Sequence, residues 1–466
     1  MTRFLLSVRT GGRRGASGRT AIVLAACLAI HCLAATEFAS SARADDVVTV
    51  INHEVARINP KIYGVNYDWI AVPADQYGAY IQEMQDVAHF TLQIFPAGWD
   101  AENYDWDAND TPRWVKRPIA PGADPDRVIA TSPAVAFILP SRDAVSNPDN
   151  IPEEVGRSLS VVRRYGSRVR IWEIGNEWWL QSGAKRHPVI RQRHLQAYAE
   201  LVAAVVPRII AMEPQAEIYV MGDWLHPEDL AVMRRIVGEA TWSQIRGIAL
   251  HPYCRIDDPV MPCDQVPPSI AAVKSAAGKS SIFASEWNVT RAHGYWLFGM
   301  AHANEIGIQL GKMVLSGVDL AAYWPAFKFL PRSAFVSADY RRPETTGLLF
   351  GWLARYYRGS ALQTSGSLPA LAAVTKAELN VFVFSRDQAR HTVTLVLPQG
   401  LDVRNTVARV MYTTSPNGAG EPMVATLPVT SKSGGDGTQV GFALNPGTPG
   451  RGSAWEIAHI TFGLSR

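Results

Sequence analysis

The sequence predicts a parallel (β/α)₈ barrel followed by a small all-β module, and three observations carry this prediction. Eight short apolar runs of strand character, with helical patterns between most of them, lie between residues 61 and 359. The strand ends share a chemical theme, with polar and aromatic side chains recurring where the catalytic face of such a barrel would lie. After Gly359 the helical period stops, and short β-rich runs separated by turn clusters take over. A doubly wound open sheet is the rival, but it would normally show a Gly-rich phosphate turn after an early strand, and none is present.

The chain has 466 residues, enough for one large domain and a smaller one. Residues 1–44 read as a cleaved signal peptide. Arg3, Arg9, Arg13, Arg14 and Arg19 form a basic n-region, 21–35 an apolar core too short for a comfortable span, and Ala42-Arg43-Ala44 a small-x-small cleavage site. The expected location is secreted or periplasmic. Cys27 in Leu24-Ala25-Ala26-Cys27 leaves lipoprotein anchoring open, and Arg13-Arg14 a twin-arginine route. Cleavage after Ala44 leaves 39 Lys+Arg against 41 Asp+Glu, a net charge of about −2, so the formal +3 belongs to the leader. Nothing in this balance calls for nucleic acid or an anionic membrane, and no membrane span is expected in the mature chain. The oligomeric state is not legible.

In order, residues 45–60 supply a leading strand expected to join the C-terminal module. The barrel strands are expected at 61–69, 89–98, 134–142, 168–173, 216–224, 247–254, up to 286, and 319–327. Helices are expected at 74–88, 151–165, 192–212, 227–240, 270–277, 304–316 and 345–357. The helix at 227–240 opens on Glu228 and Asp229, as the helix dipole favours. A long loop rich in Asp, Pro and Trp fills 99–125. Residues 360–466 read as a β-sandwich with strands near 381–385, 392–397, 407–413, 439–444 and 454–462.

The chemistry centres on RIWEIGNEWW at 170–179. Gly175-Asn176-Glu177 puts an amide and a carboxylate side by side at the end of the fourth strand. SSIFASEWN at 280–288 ends the seventh strand in Glu286-Trp287-Asn288. Strands four and seven of an eight-stranded barrel face each other across its mouth, and glycoside hydrolysis commonly uses two carboxyl groups flanking the scissile bond. A separation of about 5–5.5 Å would give retention through a glycosyl-enzyme intermediate. In that reading Glu177 is the general acid/base and Glu286 the nucleophile. Asn176 would donate to the sugar hydroxyl beside the anomeric carbon, and Tyr253 would donate to Glu286.

Other strand-end candidates are Asn66, Tyr67 and Trp69 after the first strand, Trp99 and Asp100 after the second, Asp223 and Trp224 after the fifth, His251 on the sixth and Trp324 on the eighth. Trp178, Trp179, Trp287 and Trp324 suit sugar faces or core packing equally. His251 suits either a base or a structural histidine, and Asp100 and Asp223 either sugar hydroxyls or helix caps. Glu173 is expected to support an arginine or to face the barrel interior. Cys254 and Cys263, nine apart in an exported chain, are expected to form a disulfide. No second Cys/His pair stands at ligand spacing, so no metal site is expected, and the chemistry needs no cofactor.

Gly175-Asn176-Glu177 together with Ser285-Glu286-Trp287-Asn288 resembles clan A glycoside hydrolases, whose acid/base follows an Asn at the end of strand four and whose nucleophile ends strand seven. Ile62-Tyr63-Gly64-Val65-Asn66-Tyr67 is similar to the first-strand pattern of the α-L-arabinofuranosidase branch, as are Phe95-Pro96-Ala97-Gly98 and Tyr104-Asp105-Trp106 to its later segments. The resemblance spans most of the mature chain. It implies a poly- or oligosaccharide substrate and a β-sandwich built from the C-terminal region plus the N-terminal strand. Two departures stand out. The arginine that precedes the strand-two proline in that branch is replaced by Gln93-Ile94-Phe95, and Trp178 follows Glu177 where xylosidase and endoglucanase relatives carry proline. Exo and endo action both remain open. The reading from another class is a non-catalytic carbohydrate-binding protein on a degenerate barrel.

Overall fold

A computed structural model describes residues 45–66, 76–108, 124–181, 187–291, 297–326, 334–337, 342–401, 403–415, 417–434, 437–447 and 454–465. The expected leader with Cys27, and Tyr67 and Trp69, lie outside these residues.

The chain opens on a long strand, β1 (Asp46–Arg57). Eight parallel strands then close a barrel: β2 (Gly64–Val65), β3 (Leu92–Phe95), β4 (Val135–Leu139), β5 (Ile171–Ile174), β6 (Glu217–Met221), β7 (Gly247–Ala249), β9 (Ser281–Thr290) and β10 (Leu320–Tyr323). β10 pairs with both β9 and β2, which closes the ring. β3, β4, β5, β9 and β10 are buried at every position. That accounts for their largely apolar runs, since both faces of a parallel sheet are covered.

The covering helices are α1 (Tyr77–Ala88), α2 (Pro125–Thr131), α3 (Arg142–Ser146), α4 (Ile151–Tyr165), α5 (Pro188–Met212), α6 (Glu228–Val237), α7 (Glu239–Gln244), α8 (Val266–Ala277), α9 (Gly299–Leu315) and α10 (Thr345–Tyr356). α4 shows why such segments were readable. It begins with a proline in its first turn beside Glu153 and Glu154 and ends on Arg163 and Arg164, matching both ends of the helix dipole. Among the described residues α5 alone is long and apolar enough to cross a membrane, but its apolar face is packed in the core, with Leu195, Tyr198, Leu201, Val202 and Val205 buried.

The strands are shorter than their apolar runs at nearly every end, and two differ in kind. The sixth run is broken. β7 stops at Ala249, and Tyr253–Arg255 forms a separate short strand, β8, paired parallel to the far half of β9. Pro252 cannot donate to a ladder, so the chain leaves the barrel wall there and rejoins at Tyr253. The seventh strand does not end at Glu286. It continues to Thr290 because β8 and β10 supply partners at Trp287, Asn288, Val289 and Thr290. The cysteines that flank the excursion after β8, Cys254 and Cys263, are joined in a disulfide. The 99–125 stretch also carries structure: a 3₁₀ turn at Gly98–Glu102, and α2 at its end.

Beyond the barrel lie β11 (Ser360–Gly366), β12 (Ala370–Val374), β13 (Glu378–Phe384), β14 (His391–Val396), β15 (Val403–Tyr412), β16 (Met423–Thr426), β17 (Thr430–Gly434), β18 (Gly437–Leu444) and β19 (Ile457–Leu464). The expected sandwich is a single ten-stranded sheet, ordered β16-β15-β19-β13-β12-β11-β1-β14-β18-β17, which curls so that its two halves share one core. β1 is its central link, antiparallel to β11 and parallel to β14. His391 of β14 fastens the N-terminal strand further, with Asp46 Oδ2 2.7 Å from Nδ1 and Asp387 Oδ1 2.8 Å from Nε2. Phe384, Leu371 and Met411 of the sheet join the barrel's own hydrophobic core. Gly307 and Gly311 of α9 leave room for Phe384 and Leu371 to approach. An ion pair between Arg386 and Glu305 at 2.7 Å adds to this joint.

Candidate active site

Glu177 and Glu286 meet over one histidine. The chain leaves β5 through Gly175, in the left-handed region at φ 73°, and Glu177 itself adopts φ 44°. Such a conformation disfavours any residue with a Cβ, and it persists only where the surroundings dictate it. Here it aims the Glu177 carboxylate across the barrel mouth. Its Oε1 lies 3.1 Å from His251 Nδ1, and Glu286 Oε2 lies 3.5 Å from the same nitrogen. The two facing oxygens are therefore no more than about 6.6 Å apart. Neither ring nitrogen of His251 makes an aligned hydrogen bond among the described residues, so the attraction is that of an ion pair.

Glu286 is buried, 5 % exposed, and held from two sides. Tyr253 donates its hydroxyl to Oε2 at 2.7 Å, and Asn66 Nδ2 lies 3.4 Å from Oε1 while bonding Ser285 O at 3.1 Å. The break in the sixth strand explains Tyr253's reach, since β8 sets it beside Asn288, two residues from Glu286. Gly98 closes the third side. At φ 50°, a Cβ there would sit 3.2 Å from Glu286 Oε1. Gly98→Ala is expected to cost about 1 kcal/mol of stability, and displacing the carboxylate should cut kcat/KM on the order of 10²-fold. Steady-state kinetics beside thermal unfolding would check both, and wild-type turnover would show that the carboxylate has room to spare.

Below this pair lies a third carboxyl, Glu173 of β5. It accepts from Ser285 Oγ at 3.1 Å, and its Oε2 has no partner among the described residues. Burial, with Glu286 and Glu102 adding to it against His251 and Ser285, pushes Glu173 up to about 8. Burial also raises Glu286, as does Glu177, while His251, Tyr253 and Asn66 pull it back. Burial would lower His251, but the charges of Glu286, Glu177 and Glu173 outweigh it and hold the imidazole at about 9.

These shifts carry one sign for stability. His251 is held charged in the folded chain, so its contribution is full below its ordinary 6.5 and lost as pH rises through about 9. Glu173 stays protonated when folded where the unfolded carboxyl is ionised. Folded stability therefore declines as pH climbs from the ordinary 4.5 through about 8. The melting temperature is expected to fall between pH 6 and pH 9. Glu173→Gln should recover on the order of 3 kcal/mol at pH 7. A melting temperature that is level across that range in the wild type would contradict the buried, proton-bearing carboxyl.

The other candidates divide. Asn176 is buried beside Glu177, and its Oδ1 has no partner among the described residues. Trp324, half-buried, stands edge-on to Tyr253 at 5.9 Å, with Nε1 close to Gly98. Two expected platforms are corrected. Trp178 and Trp287 are fully buried, Trp178 stacking on Tyr198 and donating to Met221 O at 3.1 Å, and Trp287 packing edge-on to Tyr323. Trp99 is the exposed aromatic at this rim, 53 % accessible, with the Arg142 guanidinium 4.7 Å from its ring centre. Asp223 is bound to Arg191 at 2.9 Å and caps Leu225 N. Asp100 lies buried on the Gly98–Glu102 turn.

Sequence reasoning missed Glu102, at the end of that turn. Its carboxylate accepts from Ser141 N (2.7 Å), Ser141 Oγ (2.9 Å), Arg142 N (2.7 Å) and Asn176 N (2.6 Å). Burial raises its pKa against these four donors. A cavity of about 320 Å³ opens behind it, lined by Tyr104, Trp106, Arg142 and Glu154 among others, but neither Glu177 nor Glu286 lines that cavity. Convergent charge and orphaned polar atoms mark the candidate site here better than volume does. Among the described residues no group of three or more His, Cys, Asp or Glu side chains is arranged to hold a metal ion.

No protein-family model matches the sequence, and no curated protein matches it significantly. Solved structures do match. A family 51 α-L-arabinofuranosidase from Bifidobacterium longum superposes with a TM-score of 0.61 at 15 % identity, covering 90 % of this chain and 99 % of its own. An α-L-arabinofuranosidase from Thermotoga maritima gives 0.61 at 14 %, covering 90 % and 100 %. A family 44 endoglucanase from Clostridium thermocellum gives 0.57 at 14 %, again 90 % and 100 %. Over 90 % of its length the chain has the fold of these clan A glycoside hydrolases, a (β/α)₈ barrel joined to a C-terminal β-sandwich.

Proposed function

We propose that the protein is an exported retaining glycoside hydrolase acting on poly- or oligosaccharides. The observation that carries this reading is the pair of glutamates from opposite barrel strands, both within 3.5 Å of one His251 nitrogen. The bound of about 6.6 Å between their facing oxygens is compatible with the short spacing of retaining enzymes. The fold shared with arabinofuranosidases and endoglucanases supports the same class, and the leader at 1–44 supports export.

In the first step a Glu286 oxygen attacks the anomeric carbon. The bond from that carbon to the leaving oxygen breaks with its electron pair, and Glu177 protonates that oxygen. Water then adds to the anomeric carbon, its proton passes to Glu177, and Glu286 leaves as carboxylate. Tyr253 and Asn66 orient the attacking carboxylate, and charged His251 lies between the two acids. Among the described residues, Trp324 and Trp99 offer aromatic faces to a sugar.

Hydrolysis of a panel of aryl glycosides and plant and microbial polysaccharides tests the reading. Cleavage of at least one, with net retention of anomeric configuration by NMR, is expected. Binding of a polysaccharide with no cleavage of any panel member would favour the non-catalytic carbohydrate-binding alternative.

A further inference from the structure

We propose that Glu102 is a positioning residue for proton delivery, and that the Gly98–Glu102 turn acts as a spacer between the two catalytic carboxylates. The inference rests on the glycosidase reading of Glu177 and Glu286. One end of this five-residue turn, Gly98, abuts Glu286 Oε1, and the other end, Glu102, grips the residue before Glu177. The turn thus touches Glu286 at one end and the support of Glu177 at the other.

Glu102 does more than close a loop. A capping carboxylate ordinarily satisfies the donors of its own helix or turn. This one comes from the loop after β3 and collects donors from the ends of β4 and β5, namely Ser141 and Arg142 on the first and Asn176 on the second. Ser141 Oγ, itself bonded to Glu102, packs where a Cβ on Gly175 would fall. Gly175 N in turn bonds Leu139 O at 2.7 Å. The exit is therefore pinned at Gly175 and Asn176, the two residues that lead into Glu177 with its left-handed backbone. A buried carboxylate with four donors in 2.6–2.9 Å contact is a stiff constraint.

The test uses leaving groups. Protonation matters for a poor leaving group and hardly at all for an activated one. A loss confined to proton delivery therefore grows with the pKa of the departing phenol, whereas general loosening lowers all substrates alike. In the full-length mature protein, Glu102→Gln is expected to lose about tenfold or more in kcat/KM on phenyl glycosides and under about threefold on dinitrophenyl glycosides of the same sugar. The basic limb of its pH profile should also shift. Ser141→Ala, which removes one of the four donors, should show the same trend more weakly and serves if Glu102→Gln does not fold. An equal loss across the series, or none, in a folded variant would overturn the proposal. Glu177→Ala run alongside judges the underlying reading separately, since it must itself show a leaving-group trend. If no glycoside is cleaved, that reading fails. Amide exchange over 174–177 then still judges the clamp, and unchanged protection in Glu102→Gln would sink it.

Discussion

With Glu286 replaced by alanine, turnover of every glycoside the protein cleaves is expected to fall on the order of 10⁵-fold. The size follows from what the site does for this carboxylate. Tyr253 at 2.7 Å, Asn66 at 3.4 Å and the Gly98 backbone hold one oxygen pair in a single orientation. A nucleophile so held reacts with an effective molarity of about 10⁵ M or more, and removing it forfeits that advantage. The hole left beside Gly98 should admit azide. On an activated glycoside, azide is expected to restore turnover and give a glycosyl azide of inverted configuration, because it attacks from the face that Glu286 occupied. Wild-type turnover in the variant would remove Glu286 from the mechanism.

The second large effect is expected at Glu177. Its alanine variant should lose about 10²–10⁴-fold on substrates with poor leaving groups, the usual worth of a positioned general acid. Activated substrates should lose far less in the first step, and the glycosyl-enzyme should accumulate because nothing deprotonates the incoming water. Azide should again accelerate turnover, but with retained configuration, since it now attacks the intermediate from the side that Glu177 occupied. The opposite stereochemistry of the two rescued products assigns the two roles without reference to rates. Retained azide product from both variants would show that the roles are misassigned.

Much of this was legible because barrel strands buried on both faces leave largely apolar runs, and their exits carry polar residues. Ile171–Ile174 running into Gly175-Asn176-Glu177 is the clearest case. The Cys254–Cys263 pairing was expected from spacing in a chain read as exported, and the contact of Tyr253 with Glu286 from the reading of the strand ends. Three things were not legible, for physical reasons. Neighbouring residues point to alternate sides of the chain, so Trp178 and Trp287, next to the paired glutamates, turned into the core while Trp99, further off, stayed exposed. Pro252 was a visible signal that the sixth strand breaks, but rejoining at Tyr253 depends on β9 offering an edge beyond Glu286. Glu102 sits in an irregular Asp- and Trp-rich stretch, and its partners lie 39 to 74 residues away. No local pattern encodes such contacts. One clue was a Glu three residues before the Asp105-Trp106 pair in a loop that would otherwise expose it.

The central claim is a covalent bond between sugar and Glu286, and mass spectrometry of a trapped intermediate tests it most directly. The mature protein would be incubated with activated 2-deoxy-2-fluoro glycosides of the sugars it cleaves, which form the glycosyl-enzyme faster than they release it. The expected result is a mass increase of one fluoroglycosyl unit, localised to the peptide carrying Glu286 and absent from Glu286→Ala. Hydrolysis with inverted configuration, and no adduct on that peptide, would contradict the account.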